Sequence, residues 1–455
     1  MELLLNEPKD TLVVKKNRTD DYRSLKTGIW VYFFFLIFEG SLRKWFLPGL
    51  ANPLLVIRDP IAIWLIYMAW RRNLLQPNVY LSGIVIIGLI SFYTAMWAGH
   101  GNLVVALYGA RIFLLHFPLI FIIGRVFNRD DIFKMAKVTL YMAIPMALLI
   151  SMQFYSPQSA WVNRGLAGDL AGAGFSSNGD FYRPPGTFSF TNGVTLFFAW
   201  LAPFVFYYLF NSEKIKKWLL LAATGALLIS IPFSISRSLF FSVSLTLVFA
   251  VTASLGKPGN INKIVVALVL ALIAFAVLSQ TKFFTTATGA FTDRFTNANE
   301  AEGGLVKGVI GDRFLGGLIT ALQNSDKQPF LGLGTGMGTN VGSQLLTGVR
   351  TFLIDEGEWG RLIGELGPLM GLIAIFLRLG FAFKLALMSF RRLMSGDLLP
   401  WLLVSFGFIP IIQGQWAQPT SLGFSVLIGG LIIASLRDAG TAADSQSTEV
   451  DLTEV

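Results

Sequence analysis

The segment Tyr182-Arg183-Pro184-Pro185-Gly186-Thr187-Phe188 places one arginine beside two prolines, just before an apolar run that opens near Asn192. Proline fixes the backbone on its own side and restricts the residue before it. An arginine held rigidly at the edge of a membrane suits a phosphate or diphosphate, which a guanidinium grips through paired hydrogen bonds. The plainer alternative is contact with lipid phosphates. A second arginine lies in Ser234-Ile235-Ser236-Arg237-Ser238, between two long apolar runs with almost no loop between them. Arg237 therefore sits at or just inside the membrane surface, where an ionisable group is costly and a functional candidate. Snorkelling to the head groups is the competing reading.

Two further stretches carry groups of catalytic type. In Asp355-Glu356-Gly357-Glu358-Trp359-Gly360-Arg361, followed by Glu365, a helix would put Glu358, Arg361 and Glu365 on one face. Such a stripe either locks an internal ion pair or offers a carboxylate base to a sugar hydroxyl. Gly311-Asp312-Arg313-Phe314 precedes Pro329-Phe330-Leu331-Gly332-Leu333-Gly334-Thr335-Gly336-Met337-Gly338. No strand–turn–helix context and no Gly-Lys-Ser/Thr accompany these glycines, so a nucleotide loop is excluded. They remain open as a backbone cradle for an anion or as a plain turn. Arg111 and His116 are about 140° apart on a helix, too far round to share a site. The first is expected in the polar interior and the second as a hydrogen-bonded structural residue.

Apolar blocks surround all of these groups. Of 455 residues, 54% are hydrophobic and 14% charged, with mean hydropathy +0.61. A soluble chain carries about 25% charged residues. Spans are read at 28–47, 54–70, 79–97, 103–125, 132–153, 190–210, 217–235, 237–255, 263–280, 357–380, 398–413 and 420–436, each near the bilayer length of about 20 residues. The expected architecture is an all-α integral membrane domain over 28–436 with about twelve helices. Glu39, Arg43, Lys44, Pro48, Pro53, Arg58, Asp59 and Pro60 interrupt the first two spans and predict short or broken helices there. Residues 1–27 read as a retained cytoplasmic tail and 437–455 as a disordered cytoplasmic one.

Lysine and arginine gather in alternate turns, which accounts for the net charge of +9 without nucleic acid and puts both termini in the cytoplasm. Two long outer loops result, at 154–190 and 281–354. Both are rich in aromatics (Trp161, Phe175, Tyr182 and Phe188; then Phe283, Phe291, Phe314 and Phe330), which argues for packed structure. With no cysteine and only two histidines, thiolate and His-rich metal sites are excluded. No internal repeat is visible, which weighs against transporters built from inverted halves.

In combination, Arg183-Pro-Pro-Gly-Thr-Phe with Asn192 opening a helix, Ser236-Arg237-Ser238 between spans, and Arg313 followed by Pro329-Phe-Leu-Gly-Leu-Gly-Thr-Gly and Glu365-Leu-Gly-Pro-Leu-Met-Gly resemble the O-antigen ligase and O-antigen polymerase superfamily. Order, span count and the large late outer loop agree over most of the chain. The resemblance implies a GT-C-type glycosyltransferase of the bacterial inner membrane. It would use undecaprenyl-diphosphate-linked oligosaccharide and a glycan acceptor, with no cofactor or metal, alongside a flippase and a chain-length regulator. Arg183, Arg237 and Arg313, with Asn192, become the donor diphosphate ligands, and Arg313 also assists departure of the lipid diphosphate. Arg361 and Glu365 support them as a polar stripe. Where the ligases carry a histidine near the end of the large loop, this chain has Ile354-Asp355-Glu356-Gly357-Glu358. The departure favours a polymerase, with Glu356 or Glu358 as the acceptor-side base. A ligase, and a transporter or lipid flippase, are the alternatives.

Overall fold

The computed structural model describes residues 22–176, 181–255, 258–301, 316–323 and 328–438. Most of the two tails, residues 1–21 and 439–455, lies outside the described residues, as do Arg313 and Phe314. Among the described residues the fold is all-helical apart from one two-stranded pair.

Apolar composition sets the helix inventory, and proline, glycine and charge set its breaks. Helix α1 (Arg23–Ser41) starts before the expected boundary at residue 28 and runs into a π-turn, Leu42–Phe46. A 3-10 turn at Pro48–Leu50 and the short α2 (Ala51–Leu54) follow, then α3 (Arg58–Arg71). The interrupted first hairpin is thus as the prolines and charges predict. Next come α4 (Val79–Trp97), α5 (Leu103–Arg111), a π-turn at Ile112–His116, α6 (Phe117–Val126) and α7 (Arg129–Tyr155). Strands β1 (Phe175–Ser176) and β2 (Tyr182–Arg183) pair antiparallel within the first long loop. The second half holds α8 (Asn192–Phe210), α9 (Lys217–Phe233), α10 (Arg237–Ser254) and α11 (Pro258–Leu278). Helices α12 (Lys282–Ala301), α13 (Gly317–Gln323) and α14 (Asn340–Thr347) lie in the second long loop. The chain ends with α15 (Glu358–Leu366), α16 (Pro368–Met394), α17 (Leu399–Gln413) and α18 (Pro419–Asp438).

Among the described residues, ten helical segments are long and apolar enough to cross a membrane. Helices α9 and α17, 17 and 15 residues long, match two of the expected spans but fall short of that length. At 1.5 Å per residue α17 covers only about 23 Å of a roughly 30 Å hydrocarbon core. The expected span 357–380 is also divided: Gly367, at φ +81°, separates α15 from α16. Gly367 packs there on the Phe330 carbonyl, which a Cβ would approach to 2.1 Å.

Helices α6, α8 and α18 form the centre, whereas α11 is almost wholly surface. Small residues let α6 and α18 approach closely: Gly124 sits under Ile433 and Gly430 under Ile123. The basic turns meet at one end, where Lys26 pairs with Asp131 at 2.6 Å and Arg129 with Asp397. Arg437 there caps the Phe127 carbonyl at 2.7 Å. The described parts of both long loops lie at the opposite end.

Candidate functional site

The Arg183 loop is fixed from below by polar residues of the interrupted first hairpin. Lys44, fully buried, donates to the Gly186 carbonyl at 2.7 Å. Gln153 accepts from the Gly186 amide at 2.7 Å and donates to its carbonyl at 3.2 Å. Thr187 donates to the Ile37 carbonyl at 2.7 Å, and Arg43 donates to Ser189 at 3.0 Å. Each bond terminates a polar group that would otherwise be unsatisfied in an apolar setting. The strand pair sets Arg183 opposite Phe175.

Arg237 opens α10. The Ser236 hydroxyl caps the helix, accepting from the Leu239 amide at 3.3 Å and sharing a 2.8 Å hydrogen bond with Thr195 of α8. Ile235 takes φ +47°, a costly value for a β-branched residue, and this sharp turn accounts for the near-absence of a loop. A third arginine, Arg294, comes from α12. That helix lies across the bundle end: Phe291 and Phe295 contact Phe240 of α10 at ring separations of 6.2 and 6.1 Å, and Phe283 contacts Phe233 at 5.0 Å. Burial, with the nearby positive charges of Arg294 and Arg237, lowers Arg183 from its ordinary range to about 10. Arg183 Nε is buried with no hydrogen-bond partner among the described residues. Arg183 of β2 thus lies within electrostatic range of Arg237 of α10 and Arg294 of α12, and paired hydrogen bonds from guanidiniums suit a phosphate-type anion.

The predicted carboxylate stripe resolves into a closed lattice. Glu358 accepts from Arg361 at 2.8 and 3.0 Å and from Arg378 at 2.5 Å. Arg361 also donates to Glu365 at 2.5 Å, while Glu365 accepts from the Gly338 amide at 2.8 Å. Arg378 stacks over Trp416 at 3.7 Å, and the Trp416 amide donates to Glu358 at 3.1 Å. All four charged groups are at most 2% exposed. Glu358 and Glu365 are therefore committed to ion pairs, and the role of open base for Glu358 gives way to one in holding α15, α16 and the 414–419 turn together. Glu356, by contrast, is exposed, and its carbonyl accepts from Gln415 at 2.8 Å.

Neither expectation for the glycine-rich stretch describes it well. Its amides are spent internally: Leu333 N donates to the Gly364 carbonyl at 2.8 Å and Gly334 N to the Glu365 carbonyl at 3.1 Å. Gly336, at φ +91°, lies so close to α5 that a Cβ would sit 2.1 Å from the Val105 carbonyl. The stretch is a packing device joining α5 to α15, so it offers little amide surface to an anion.

Arg111 and His116 do share a partner. The intervening π-turn brings residues five apart onto one face, where an α-helix would separate them. Both bind Asp59, at 2.8 and 2.9 Å, and Tyr32 bonds the other His116 nitrogen at 2.9 Å. Glu39 pairs with Arg43 at 3.0 Å beside Arg58, completing a buried polar core between α1, α3 and α5. Among the described residues, no three metal-type side chains gather as a metal site.

Arg183 and Arg237 are thus brought together, and Arg313 lies outside the described residues. Asn192 stands one helical turn before Thr195, which bonds to Ser236 beside Arg237, and it donates to Gln418 at a long 3.5 Å. Sequence reasoning passed over Arg294, Arg378, Gln415 and Gln418. The heptad-like series Phe284, Ala287, Phe291, Phe295 was a usable signal for the helix that carries Arg294. Compared with protein-family models, with curated proteins and with solved structures, the chain finds no match in any of the three.

Proposed function

We propose that this chain is a glycosyltransferase of the bacterial inner membrane that polymerises undecaprenyl-diphosphate-linked oligosaccharide units into exopolysaccharide, capsule or O-antigen. In this reading twelve helices cross the bilayer, both termini are cytoplasmic, and the two long loops face outward in a GT-C-like arrangement. The observation that carries it is the buried Arg183 guanidinium, whose Nε has no partner among the described residues and whose charged neighbours are Arg237 and Arg294, at the end opposite the basic turns. The resemblance of the Arg183, Arg237 and Arg313 segments to O-antigen polymerases and ligases supplies the substrate class.

The three arginines grip the donor diphosphate, with Arg313 as a further ligand. Glu356 accepts the proton of an acceptor sugar hydroxyl, whose oxygen attacks the anomeric carbon of the donor. The bond from that carbon to the diphosphate breaks, and the arginines stabilise the negative charge left on the departing lipid diphosphate. Charge stabilisation of this kind is often the largest catalytic contribution. Glu358 acts at one remove, as a positioning residue.

A second reading draws on the buried Glu39–Arg58–Asp59–Arg111 core, because charged groups deep in a bundle also mark transport paths. The test is to incubate purified protein with the repeat unit of its native pathway on undecaprenyl diphosphate, without nucleotide sugar or added metal. Longer lipid-linked glycans, lost in Arg183→Ala and Arg294→Ala, support polymerisation. Transfer of finished glycan to another acceptor would make it a ligase, and unchanged substrate from folded protein would favour a flippase.

A further inference from the structure

A row of polar side chains, with no bond between Thr195 and Asn192, leads from beside Arg237 to the backbone of Glu356. It begins at Ser236, next to Arg237, whose hydroxyl bonds Thr195 at 2.8 Å. Asn192 lies three residues earlier, on the same face of α8. Its carboxamide donates to Gln418 Oε1 at 3.5 Å, Gln418 Nε2 donates to Gln415 Oε1 at 2.6 Å, and Gln415 Nε2 donates to the Glu356 carbonyl at 2.8 Å. Three carboxamides in a row are half-buried. Each NH2 has two protons and each oxygen two lone pairs, so every rung keeps donors or acceptors beyond those bonds.

The support under this line is stiff. Gln418 N donates to the Gln415 carbonyl at 3.0 Å, closing a tight turn. Buried Arg378 holds the Gly414 carbonyl at 3.0 Å, and buried Arg58 holds the Pro419 carbonyl at 2.6 Å. Both buried ion lattices of the protein thus converge on one six-residue turn whose outward groups are neutral amides. A charged ligand would find arginine or carboxylate better. Rigid neutral carboxamides, offering donors and acceptors together, match the adjacent hydroxyls of a sugar ring, and holding them fixed lowers the ordering cost of binding.

We infer that Asn192, Gln418 and Gln415 form a binding site for neutral, hydroxyl-rich sugar, placed to lay an acceptor glycan between the arginine cluster and Glu356. The site rests on the glycosyltransferase reading for its purpose, but its ligand chemistry is its own. Binding of sugar replaces the loose Asn192–Gln418 rung with contacts to ring hydroxyls.

The test uses full-length protein in nanodiscs. It is applied to an array of neutral bacterial oligosaccharides, and the best binder is then titrated by saturation-transfer NMR. The double variant Gln415→Leu/Gln418→Leu is expected to weaken that sugar about tenfold or more, from the loss of several neutral hydrogen bonds. Gln418→Asn, which keeps a carboxamide, should retain part of the affinity that Gln418→Leu loses. In each variant, undecaprenyl diphosphate affinity within twofold of wild type shows that the fold and the arginine cluster are intact. Retention of no neutral glycan, or equal affinity in wild type and the double variant, overturns the inference. Should sugar bind through the amides while undecaprenyl diphosphate ignores the arginines, the sugar site stands and the glycosyltransferase reading falls.

Discussion

Two arginine-rich regions lie at the same end of this bundle and differ in what faces each guanidinium. In the lattice of α15, α16 and the 414–419 turn, Arg361 and Arg378 meet Glu358 and Glu365 at 2.5 to 3.0 Å, and no charge is left over. Around Arg183, burial and the positive charges of Arg237 and Arg294 act against its own charge. The first arrangement is complete without a ligand and serves architecture. The second leaves the Arg183 Nε without a partner among the described residues, and on the proposed function an anion would supply it.

Breaking the lattice should have the greater cost. Glu358→Gln leaves two buried arginines short of their shared carboxylate, and removing one partner of a buried pair costs about 3–5 kcal/mol. Thermal unfolding in detergent should show a large loss of stability, with sugar transfer falling in parallel. Arg183→Ala sharpens the contrast. Its stability should hold or rise while undecaprenyl diphosphate affinity drops about 10- to 100-fold, since hydrogen bonds to charged groups are worth about 1.5–3 kcal/mol. A Tm loss as great as that of Glu358→Gln would erase the distinction between the regions.

Lys44→Met tests the floor beneath Arg183. The Gly186 carbonyl keeps Gln153 as a partner, so a loss of about 1 kcal/mol is expected. A severalfold weaker diphosphate affinity, measured by titration, should accompany it. The smallest effect is on pH. Arg183 binds an anion only when protonated, and its proton affinity is lowered to about 10 by burial and its neighbours. Affinity should therefore stay level through neutral pH and fall as pH rises through about 10, below the point where an ordinary guanidinium would deprotonate. An affinity that fell as pH was lowered instead would assign the binding to another group.

Much of the fold is written in hydropathy, because a span must be apolar whatever its neighbours are. The interruption at Pro48 and the alternation of basic turns were legible from the same pattern of apolar blocks and their breaks. Gly367 was not, since its break depends on the Phe330 segment arriving from elsewhere in the chain. The pairing of Arg111 and His116 through Asp59 escaped for a related cause: a π-turn changes which residues share a face, and an α-helical wheel assumes its absence. Arg183 and Arg237 stood out because each interrupts an apolar context. Arg294 lies among polar residues on an amphipathic helix, where an arginine is ordinary, and only the packing of Phe291 and Phe295 against α10 gives it meaning. The glutamines were passed over because neutral amides carry little signal until an arrangement lines them up.

The most direct test of the account compares undecaprenyl diphosphate with undecaprenol as ligands for wild-type protein and for Arg183→Ala, Arg237→Ala and Arg294→Ala in nanodiscs. The account predicts strong preference for the diphosphate in wild type and its loss in all three variants, Arg294→Ala included, with folding retained. Equal affinity for the two lipids, or an Arg294→Ala variant that binds the diphosphate as well as wild type, would contradict it.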